Sequence, residues 1–462
     1  MSEKVEKVEK AASDHDFGTM PIRKMILKYA GMMFIGGFAQ VIMVIFEGII
    51  IGNATGADGL ACVGWVMPLE NLQLAIGGGF TIGAGTLASI KMGEGDEEGA
   101  RKVFNTSVTF IGLLLLILGI GLMVFPVQVA KFLGTPDEYL YLMVPFIRIF
   151  GVGYPFTGLA QLTNRFLAMD ERPDLSALWP TVFAVLGVIW LFVTLSVMHF
   201  SIVAAGWYYA FSVGGWAIAL PYFIRKSKRF KLERSLMGLN WKLLGESIKI
   251  CIPYVCIQGS TAVFSVIVNN LLGKVGTPVH VAAYAILSGY VIYILNMFNQ
   301  AVVSGTAPAI SYNYGEKLWS RLKELLITDY IVQIVLVGIV TIIFEIFADQ
   351  TLIMFGAGEE PLYSVGKEAL RIIIAACALG GSMGLMSTYY VSTYKLGLAT
   401  FTGVGRYLIF VAAFMLLFVN VFDMGILGVW YGQTAGDIAS FICTLILLFL
   451  EIKSLNKLIA AQ

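Results

Sequence analysis

The sequence predicts an all-α, polytopic membrane protein with twelve transmembrane helices in two six-helix lobes related by a pseudo-two-fold axis along the membrane normal. Its 462 residues are 58% hydrophobic and only 13% charged, with a mean hydropathy of +0.81. Soluble domains carry about 25% charged residues. Apolar runs long enough to span a bilayer recur from residue 25 to residue 450. In addition, the second half of the chain repeats the first at a near-constant offset.

Charge, glycine and proline divide the apolar sequence into twelve predicted spans, each of about 20 residues or more. Strict alternation of apolar and polar residues is absent, and the runs exceed the roughly 10 residues of a barrel strand, so the spans are predicted to be helices. Their limits are 24–52, 60–90, 103–125, 139–166, 174–197, 202–224, 246–272, 279–310, 325–347, 363–392, 399–421 and 424–450.

The basic residues predict the orientation of these spans. With the N-terminus inside, 25 of the 31 Lys and Arg residues fall in the cytoplasmic loops and tails. Cytoplasmic loops carry such an excess in membrane proteins. We therefore expect both termini to be cytoplasmic, with tails at 1–23 and 451–462 and a basic linker at 225–245.

The two halves of the chain match at offsets of 221 to 223 residues. Six spans per half is an even number, so both halves enter the membrane from the same side and the repeat is parallel. We therefore expect an N-lobe at 24–224, a C-lobe at 246–450 and a cavity between them, which is typical of transporters. The matched positions include Gly83 and Gly305, Ser89 and Ser311, Arg101 and Lys323, and Arg148 and Arg371.

Several kinds of chemistry are not expected. The five cysteines lie in apolar runs and the three histidines are scattered, so we expect neither a disulfide framework, a metal site nor another cofactor. A net charge of +1 gives no reason to expect a nucleic-acid partner. The glycines from Gly77 to Gly85 lack the Gly-Lys-Ser/Thr ending of a phosphate-binding loop. We expect a protein that is not an enzyme and that draws energy from an ion gradient.

Three segments resemble the signatures of the multidrug and toxic compound extrusion (MATE) family. They are "FEGIIIGNATGADGLACVG" (Phe46 to Gly64), "GGGFTIGAGTLASIKMGEGDEEGARK" (Gly77 to Lys102) and "NQAVVSGTAPAISYNYGEK" (Asn299 to Lys317). The resemblance covers residues 20–450. It implies export of organic compounds, coupled to a cation and achieved by alternating access between two lobes.

The chain departs from the family pattern at the positions that bind the coupling ion. Glu47 stands where the family usually has an aspartate in the first span. Gly187 and Leu191 stand near the places of the asparagine and aspartate that the cation-binding branch of the family carries in its fifth span. Spans seven and ten lack the carboxylates of another branch, and Gln258 and Ser382 are the nearest polar groups there.

Glu47 and Glu70 are the candidate ion-coupling residues. A carboxylate within hydrocarbon is costly, and it can load and release a proton when it is partly desolvated. The resemblance adds weight to Glu47 as the main coupling group. The alternative is that these carboxylates are structural and hydrogen-bond to neighbours such as Asn71 or Gln73.

In the C-lobe we expect Arg406 and Asp437 to form a structural ion pair between adjacent spans, since pairing removes much of the cost of burial. Aromatic and amide side chains within spans are candidates for binding flat, lipophilic or cationic compounds. Helix packing is the alternative role for each of them. The candidate substrate-binding residues are Gln161, Gln258, Tyr284, Asn299, Gln300, Tyr389 and Tyr390.

The sequence therefore predicts a proton-coupled antiporter that exports small organic, lipophilic or cationic compounds and works as a monomer in the lipid bilayer of a bacterial inner membrane. One alternative is sodium coupling within the same family. The other is a lipid-linked sugar flippase of the same superfamily, which should line its lobe interface with many positive charges.

Overall fold

The computed structural model describes residues 16–133, 135, 137–210, 212–227, 229–354 and 360–462. Within its helices, the side chains of 35–41, 43–45, 48–49, 52, 56–61, 64, 67–68, 209–210, 212–218, 278, 282 and 285 lie outside the description. The expected N-terminal tail at 1–23 is described from residue 16 onwards.

The described part of the chain is helical apart from short connections. In the first half the helices are α1 (Asp16–Thr19), α2 (Ile22–Gln73), α3 (Gly79–Gly93), α4 (Glu97–Val124), α5 (Pro126–Phe132), α6 (Leu140–Met169), α7 (Pro173–Leu191), α8 (Ala205–Ala210) and α9 (Ser212–Arg225). A π-helical turn, Leu74–Gly78, joins α2 to α3, and another, Phe192–Val197, extends α7.

The second half continues the same pattern. Its helices are α10 (Trp241–Val275), α11 (Pro278–Ile286), α12 (Tyr293–Gly315), α13 (Trp319–Ile346), α14 (Ala348–Met354), α15 (Leu362–Gly380), α16 (Ser382–Ser392), α17 (Leu396–Val404), α18 (Ala412–Asn420) and α19 (Gly425–Ala460). The π-helical turns Leu287–Ile292 and Gly405–Val411 join α11 to α12 and α17 to α18. Among the described residues, nine helices are long and apolar enough to cross a membrane.

The helix boundaries confirm the internal repeat. Helices α4 and α13 both contain 28 residues, and their ends differ by 222 positions. The short helices α5 and α14 are related by the same offset. Backbone conformation also repeats, since Gly95 and Lys317 both have positive φ before α4 and α13, as do Glu171 and Tyr394 before α7 and α17. The two halves are therefore built on one scaffold.

The first helical run, α2, contains the first predicted span, 24–52, and the beginning of the second, which continues through the π-helical turn into α3. Its 52 residues would extend about 78 Å if straight, well beyond the roughly 40–45 Å of a bilayer. Glu47 and Glu70 would then lie about 35 Å apart. Both carboxylates nevertheless interact with the same side chain, that of Tyr208. The run must therefore turn back between Glu47 and Glu70.

Helix α13 shows how the spans divide their faces. Its exposed side chains include Ile331, Val335 and Ile339, which recur every four residues, whereas Asp329 and Gln333 are buried. An exposed apolar stripe on a membrane helix faces lipid, because water is absent there. The polar positions of this helix therefore face the protein interior.

The chain forms two compact units. The first contains Ile35–Cys251, and the second contains residues 16–34 together with Ile252–Gln462. Residues 24–34, assigned to the N-lobe by the sequence, thus lie in the second unit, and residues 246–251 lie in the first. The opening segment of each half is exchanged into the unit formed by the other half.

Two equivalent glycines hold these exchanged segments. A Cβ atom at Gly83 would fall on the carbonyl oxygen of Ser247, and one at Gly305 would lie 2.6 Å from the Cα of Ala30. Glycine at both positions lets two helix backbones touch, as small residues do in membrane proteins. The repeat thus supplies one close contact to each exchanged segment.

At one end of the first unit, three predicted cytoplasmic loops meet. Arg101 Nε donates to the carbonyl of Arg229 at 3.1 Å, and Arg229 Nη1 lies 3.2 Å from Glu171 Oε1. Asn105 joins this end by donating to the carbonyl of Lys231 at 3.0 Å. These contacts place the loop before α4, the loop before α7 and the basic linker on one side.

In the second unit, the first described residues and the C-terminal residue lie on one side. Arg321 donates to the carbonyls of Phe17 and Met20, and Gln462 Nε2 donates to the carbonyl of Lys317 at 2.8 Å. The residues of this end therefore include the N-terminal segment, the loop before α13 and the C-terminus of α19. At the other end, Lys274 Nζ donates to Asn420 Oδ1 at 2.7 Å.

We expect Gly83→Ala and Gly305→Ala each to lower the melting temperature of the protein in detergent, because the added methyl groups force two backbones apart. Overpacking of this kind costs about 1–3 kcal/mol. The matched controls are Gly121→Ala and Gly338→Ala, where the new Cβ meets nothing within 4 Å. Equal melting temperatures for the two pairs of variants would show that the close contacts are not needed.

Candidate functional site

A carboxylate cluster in the first unit contains Glu47, Glu70 and Tyr208. The Tyr208 side chain is hydrogen-bonded to the Glu47 carboxyl and also interacts electrostatically with Glu70. All three side chains are partly buried. The sequence named both acids as candidates but missed Tyr208, one of 20 tyrosines with no motif around it. The structure thus brings the two predicted acids to one aromatic hydroxyl.

Gly187 on α7 makes room for the ring of Tyr208. A Cβ atom at this position would lie 2.5 Å from both Cδ2 and Cε2 of the tyrosine ring. By its resemblance, Gly187 stands near the place of an asparagine in the cation-binding branch of the family. Here the ring of Tyr208 occupies the space that a longer side chain at this position would need.

The chain around Glu70 is fixed by reciprocal hydrogen bonds to α6. Gln73 Nε2 donates to the carbonyl of Tyr154 at 2.9 Å, and the Tyr154 hydroxyl donates to the carbonyl of Leu69 at 3.2 Å. Tyr154 and Gln73 are both buried. These bonds hold the backbone on either side of Glu70, so the position of this carboxylate is set by the scaffold.

A buried ion pair lies in the second unit. Arg406 Nε is 2.9 Å from Asp437 Oδ1, and the two side chains are only 8% and 1% exposed. Gly380 provides the space, since a Cβ there would fall on Asp437 Oδ1 and within 2.8 Å of Arg406 Nε. The guanidinium also donates to Cys377 Sγ at 3.7 Å and lies 5.3 Å from the ring centre of Tyr407.

Tyr284 lies in the same region as this ion pair. Its ring stacks on Trp430 with centroids 6.1 Å apart and an interplanar angle of 10°. Its hydroxyl donates to Gln433 Oε1 at 3.4 Å, and its side chain interacts electrostatically with Asp437 and Arg406. Tyr284 is therefore part of a polar and aromatic cluster, with its ring half-buried.

The amide candidates differ in their surroundings. Asn299 is buried on α12 and accepts a hydrogen bond at 2.7 Å from Gln333 Nε2. Its neighbour Gln300 is exposed, and Gln258 on α10 is half-buried. Gln161 on α6 lies against Gly77, where a Cβ would be 3.3 Å from its Oε1. That oxygen is buried and has no partner among the described residues.

Tyr389 and Tyr390 lie inside the second unit. They are 0% and 1% exposed and contact each other edge to face, with centroids 5.6 Å apart. The Tyr389 hydroxyl donates to Glu451 Oε1 at 3.0 Å, and Lys395 Nζ lies 2.6 Å from the same oxygen. This network connects α16 to the C-terminal helix, α19. It agrees with helix packing, the alternative role considered for these tyrosines.

Within the described ranges, no group of three or more His, Cys, Asp and Glu side chains lies close enough to hold a metal ion. Cys251, Cys256, Cys377 and Cys443 are free thiols. The polar clusters of the two units consist of carboxyl, hydroxyl, amide and guanidinium groups, which can exchange protons and form hydrogen bonds with organic molecules.

Comparison with known proteins identifies the family. A family model described as MatE matches residues 32–193 and then matches a second time at residues 251–409. This chain belongs to the MATE family of transporters. The double match also agrees with the repeat seen in the helix boundaries. The protein is thus a multi-pass membrane transporter.

Two curated relatives are similar over most of this chain. The "Multidrug export protein MepA" of Staphylococcus saprophyticus subsp. saprophyticus is 23% identical over 396 residues, covering 84% of each chain. The "Probable multidrug resistance protein YoeA" of Bacillus subtilis is 24% identical over 355 residues, covering 73% of this chain and 74% of YoeA.

A solved structure confirms the predicted fold class. It is described as the outward-facing conformation of a multidrug resistance MATE family transporter of the MOP superfamily. The match has a TM-score of 0.84 at 18% identity and covers 94% of this chain and 97% of the other. The expectation of an all-α, twelve-helix membrane fold built from two six-helix halves is thereby confirmed.

We expect Asp437→Asn and Arg406→Gln each to lower thermal stability in detergent strongly, since each leaves a buried charge without its counter-ion. Removing one partner of a buried pair costs about 3–5 kcal/mol, whereas replacing both is far milder. The double variant should therefore recover much of the lost melting temperature. Strictly additive losses would show that the two side chains do not depend on each other.

Proposed function

We propose that this MATE protein is a secondary exporter of small organic, lipophilic or cationic compounds, driven by a proton gradient through Glu47. The multidrug names of MepA and YoeA support the substrate class. The exchange of drug for proton would proceed by alternating access in a monomer. The observation that carries the proposal is the hydrogen bond between Tyr208 and Glu47, with Glu70 nearby.

The contact chemistry suits a proton. A charged Glu47 accepts the hydrogen bond of the Tyr208 hydroxyl, and a protonated Glu47 no longer carries a charge that needs stabilisation in apolar surroundings. Glu70 acts on the same hydroxyl with a second negative charge. Two carboxylates at one site favour the uptake of a proton because like charges repel. Protonation of Glu47 therefore changes its hydrogen bond with the Tyr208 hydroxyl.

The alternative of sodium coupling is less well supported by the same geometry. Sodium, like other hard cations, prefers several oxygen ligands. The space beside Gly187, near the place where the cation-binding branch has an asparagine, is filled by the carbon atoms of the Tyr208 ring. Leu191, near the place of the aspartate, is fully buried and apolar. These two positions offer no side-chain oxygen.

Among the candidate substrate residues, we propose that Gln161, Gln258, Tyr284, Asn299 and Gln300 provide hydrogen-bonding and aromatic contacts. Gln161 supports this role through its carbonyl oxygen, which has no partner among the described residues, and Tyr284 through its stacked ring. Tyr389 and Tyr390 are proposed to act by packing, since both are enclosed.

The alternative of a lipid-linked sugar flippase needs positive charges for an anionic substrate. Arg406, the one cation that the sequence placed for this role, lies 2.9 Å from Asp437. The pair carries no net charge, so it offers little attraction for a phosphate group. The ion pair therefore favours the export of neutral or cationic compounds.

We expect Glu47→Gln to abolish export of the lipophilic cation ethidium from proteoliposomes driven by an imposed proton gradient, because glutamine cannot exchange a proton. Ethidium binding and thermal stability should persist, since the amide keeps the shape of the side chain. Sodium-driven export should be absent from the wild type.

Tyr208→Phe is the companion variant. It keeps the ring that packs on Gly187 and removes the hydroxyl that donates to Glu47, so transport should persist with a shifted pH profile. Normal proton-driven transport by Glu47→Gln would contradict the proposed coupling role.

We propose that the protein lies in the bacterial inner membrane with both termini in the cytoplasm. In a cysteine-free background, single cysteines at Lys131 and Asp423 should react with a membrane-impermeant maleimide applied to intact cells. A cysteine at Arg229 should react only after lysis, because its loop shares the basic end of the first unit. Labelling at position 229 in intact cells would reverse the orientation.

A further inference from the structure

A buried carboxyl group in the second unit takes no part in the contacts described above. Asp329 lies in α13, about 15 Å along the helix from Trp319. Its exposed fraction is 1%, and neither of its carboxyl oxygens has a hydrogen-bond partner among the described residues. A carboxylate in such a place is strongly disfavoured while it carries a charge.

The described polar neighbours of Asp329 direct their hydrogen bonds to other groups. Thr306 on α12 is one such neighbour, and its hydroxyl donates to the carbonyl of Val302 at 3.0 Å. One helical turn after Asp329, Gln333 gives its Nε2 to Asn299 Oδ1 at 2.7 Å. The remaining Gln333 oxygen is buried without a partner in the described part of the chain. No described hydrogen-bond donor therefore stabilises a negative charge on Asp329.

Within the described ranges, no positively charged side chain pairs with Asp329 either. Helix α13 packs against α12, α15, α16 and α19, and no charged side chain described in the structure acts on Asp329. The next residue, Tyr330, directs its hydroxyl to Thr444 at 3.0 Å. On the helices that pack against α13, Glu451 is paired with Lys395, Asp437 with Arg406, Lys367 with Asp349, and Arg371 with Glu345.

The repeat shows that the scaffold does not require an acid here. Helices α4 and α13 match along their whole length at an offset of 222, which relates Asp329 to Ser107. Ser107 is also fully buried. A small neutral side chain is thus compatible with the same position of the same helix packing. The packing of this helix therefore does not explain why residue 329 is an aspartate.

We propose that Asp329 binds a proton in a second ion-coupling site, formed with Thr306, Gln333 and Asn299 in the second unit. The carboxylate takes up one proton from one side of the membrane, and the resulting acid donates its O–H to the Gln333 oxygen one turn away. Release to the other side leaves an unpaired buried charge. That state favours a rearrangement of α13 that admits water. The proposal rests on the proton-driven export proposed above.

The test counts protons in proteoliposomes with the membrane potential clamped at zero. With two coupled sites, a tenfold proton gradient sustains about a hundredfold ethidium gradient at equilibrium, and with one site about tenfold. We expect the larger gradient for the wild type and the smaller one for Asp329→Asn, which mimics the protonated acid. Asp349→Asn changes a carboxylate that is paired with Lys367 at a helix connection, and it should behave as the wild type.

A second measurement does not depend on transport. The melting temperature of the wild type in detergent should fall as the pH of the buffer is raised, because the charged form of Asp329 has no described partner. Asp329→Asn should lose this dependence. If Asp329→Asn does not fold, Asp329→Ser takes its place in both measurements, since serine is the residue at the equivalent position of the first half.

The outcomes separate the two proposals. An unchanged ethidium gradient in Asp329→Asn would overturn the second site while leaving the role of Glu47 intact. Loss of proton-driven export in the wild type would instead refute the proposed function. Stabilisation by sodium at constant ionic strength, present in the wild type and lost in Asp329→Asn, would show that the site binds sodium and would overturn the proton assignment.

Discussion

A charged side chain within the hydrocarbon needs a partner inside the protein, and this constraint shapes both units. In the second unit, Arg406 and Asp437 satisfy each other, and glycine at position 380 leaves the space that their contact needs. In the first unit, Glu47 receives a hydrogen bond from Tyr208, whose ring in turn needs glycine at position 187. Each charged group thus requires a glycine nearby, and that glycine contributes only space.

The exchanged helix segments give this arrangement a mechanical context. Helix α2 begins in the second unit, where Gly305 holds it at Ala30, and it reaches Glu47 in the first unit. A change in the contacts of Glu47 therefore has a covalent route to the second unit. The equivalent glycine, Gly83, holds the start of α10 in the same way. Because the chain is duplicated, α10 also runs from one unit into the other, as α2 does.

Much of the fold was predictable because long apolar runs and basic loops are set by the membrane alone. Arg406 and Asp437 were predictable as partners, since their depths and the cost of an unpaired charge leave few choices. Tyr208 was not, because an aromatic residue in an apolar helix gives no sign of its partner. The burial of Tyr389 and Tyr390 was not predictable either. Their helix is apolar on every side, so the sequence does not distinguish the face that contacts protein from the face that contacts lipid. Asp329 had a readable signal, an acid followed by Gln333 one turn later in an apolar run.

The two halves share a scaffold but differ in some of its buried ionisable groups. The matching helices Pro173–Val197 and Leu396–Asn420 relate Arg406 to Phe183, just as α4 and α13 relate Asp329 to Ser107. In each pair one half carries an ionisable side chain where the other carries a neutral one, so the helix packing itself tolerates both. Charges that packing does not require are retained at a cost in stability. Since the shared helix packing accepts either kind of side chain, these groups are features of one half and not requirements of the common scaffold.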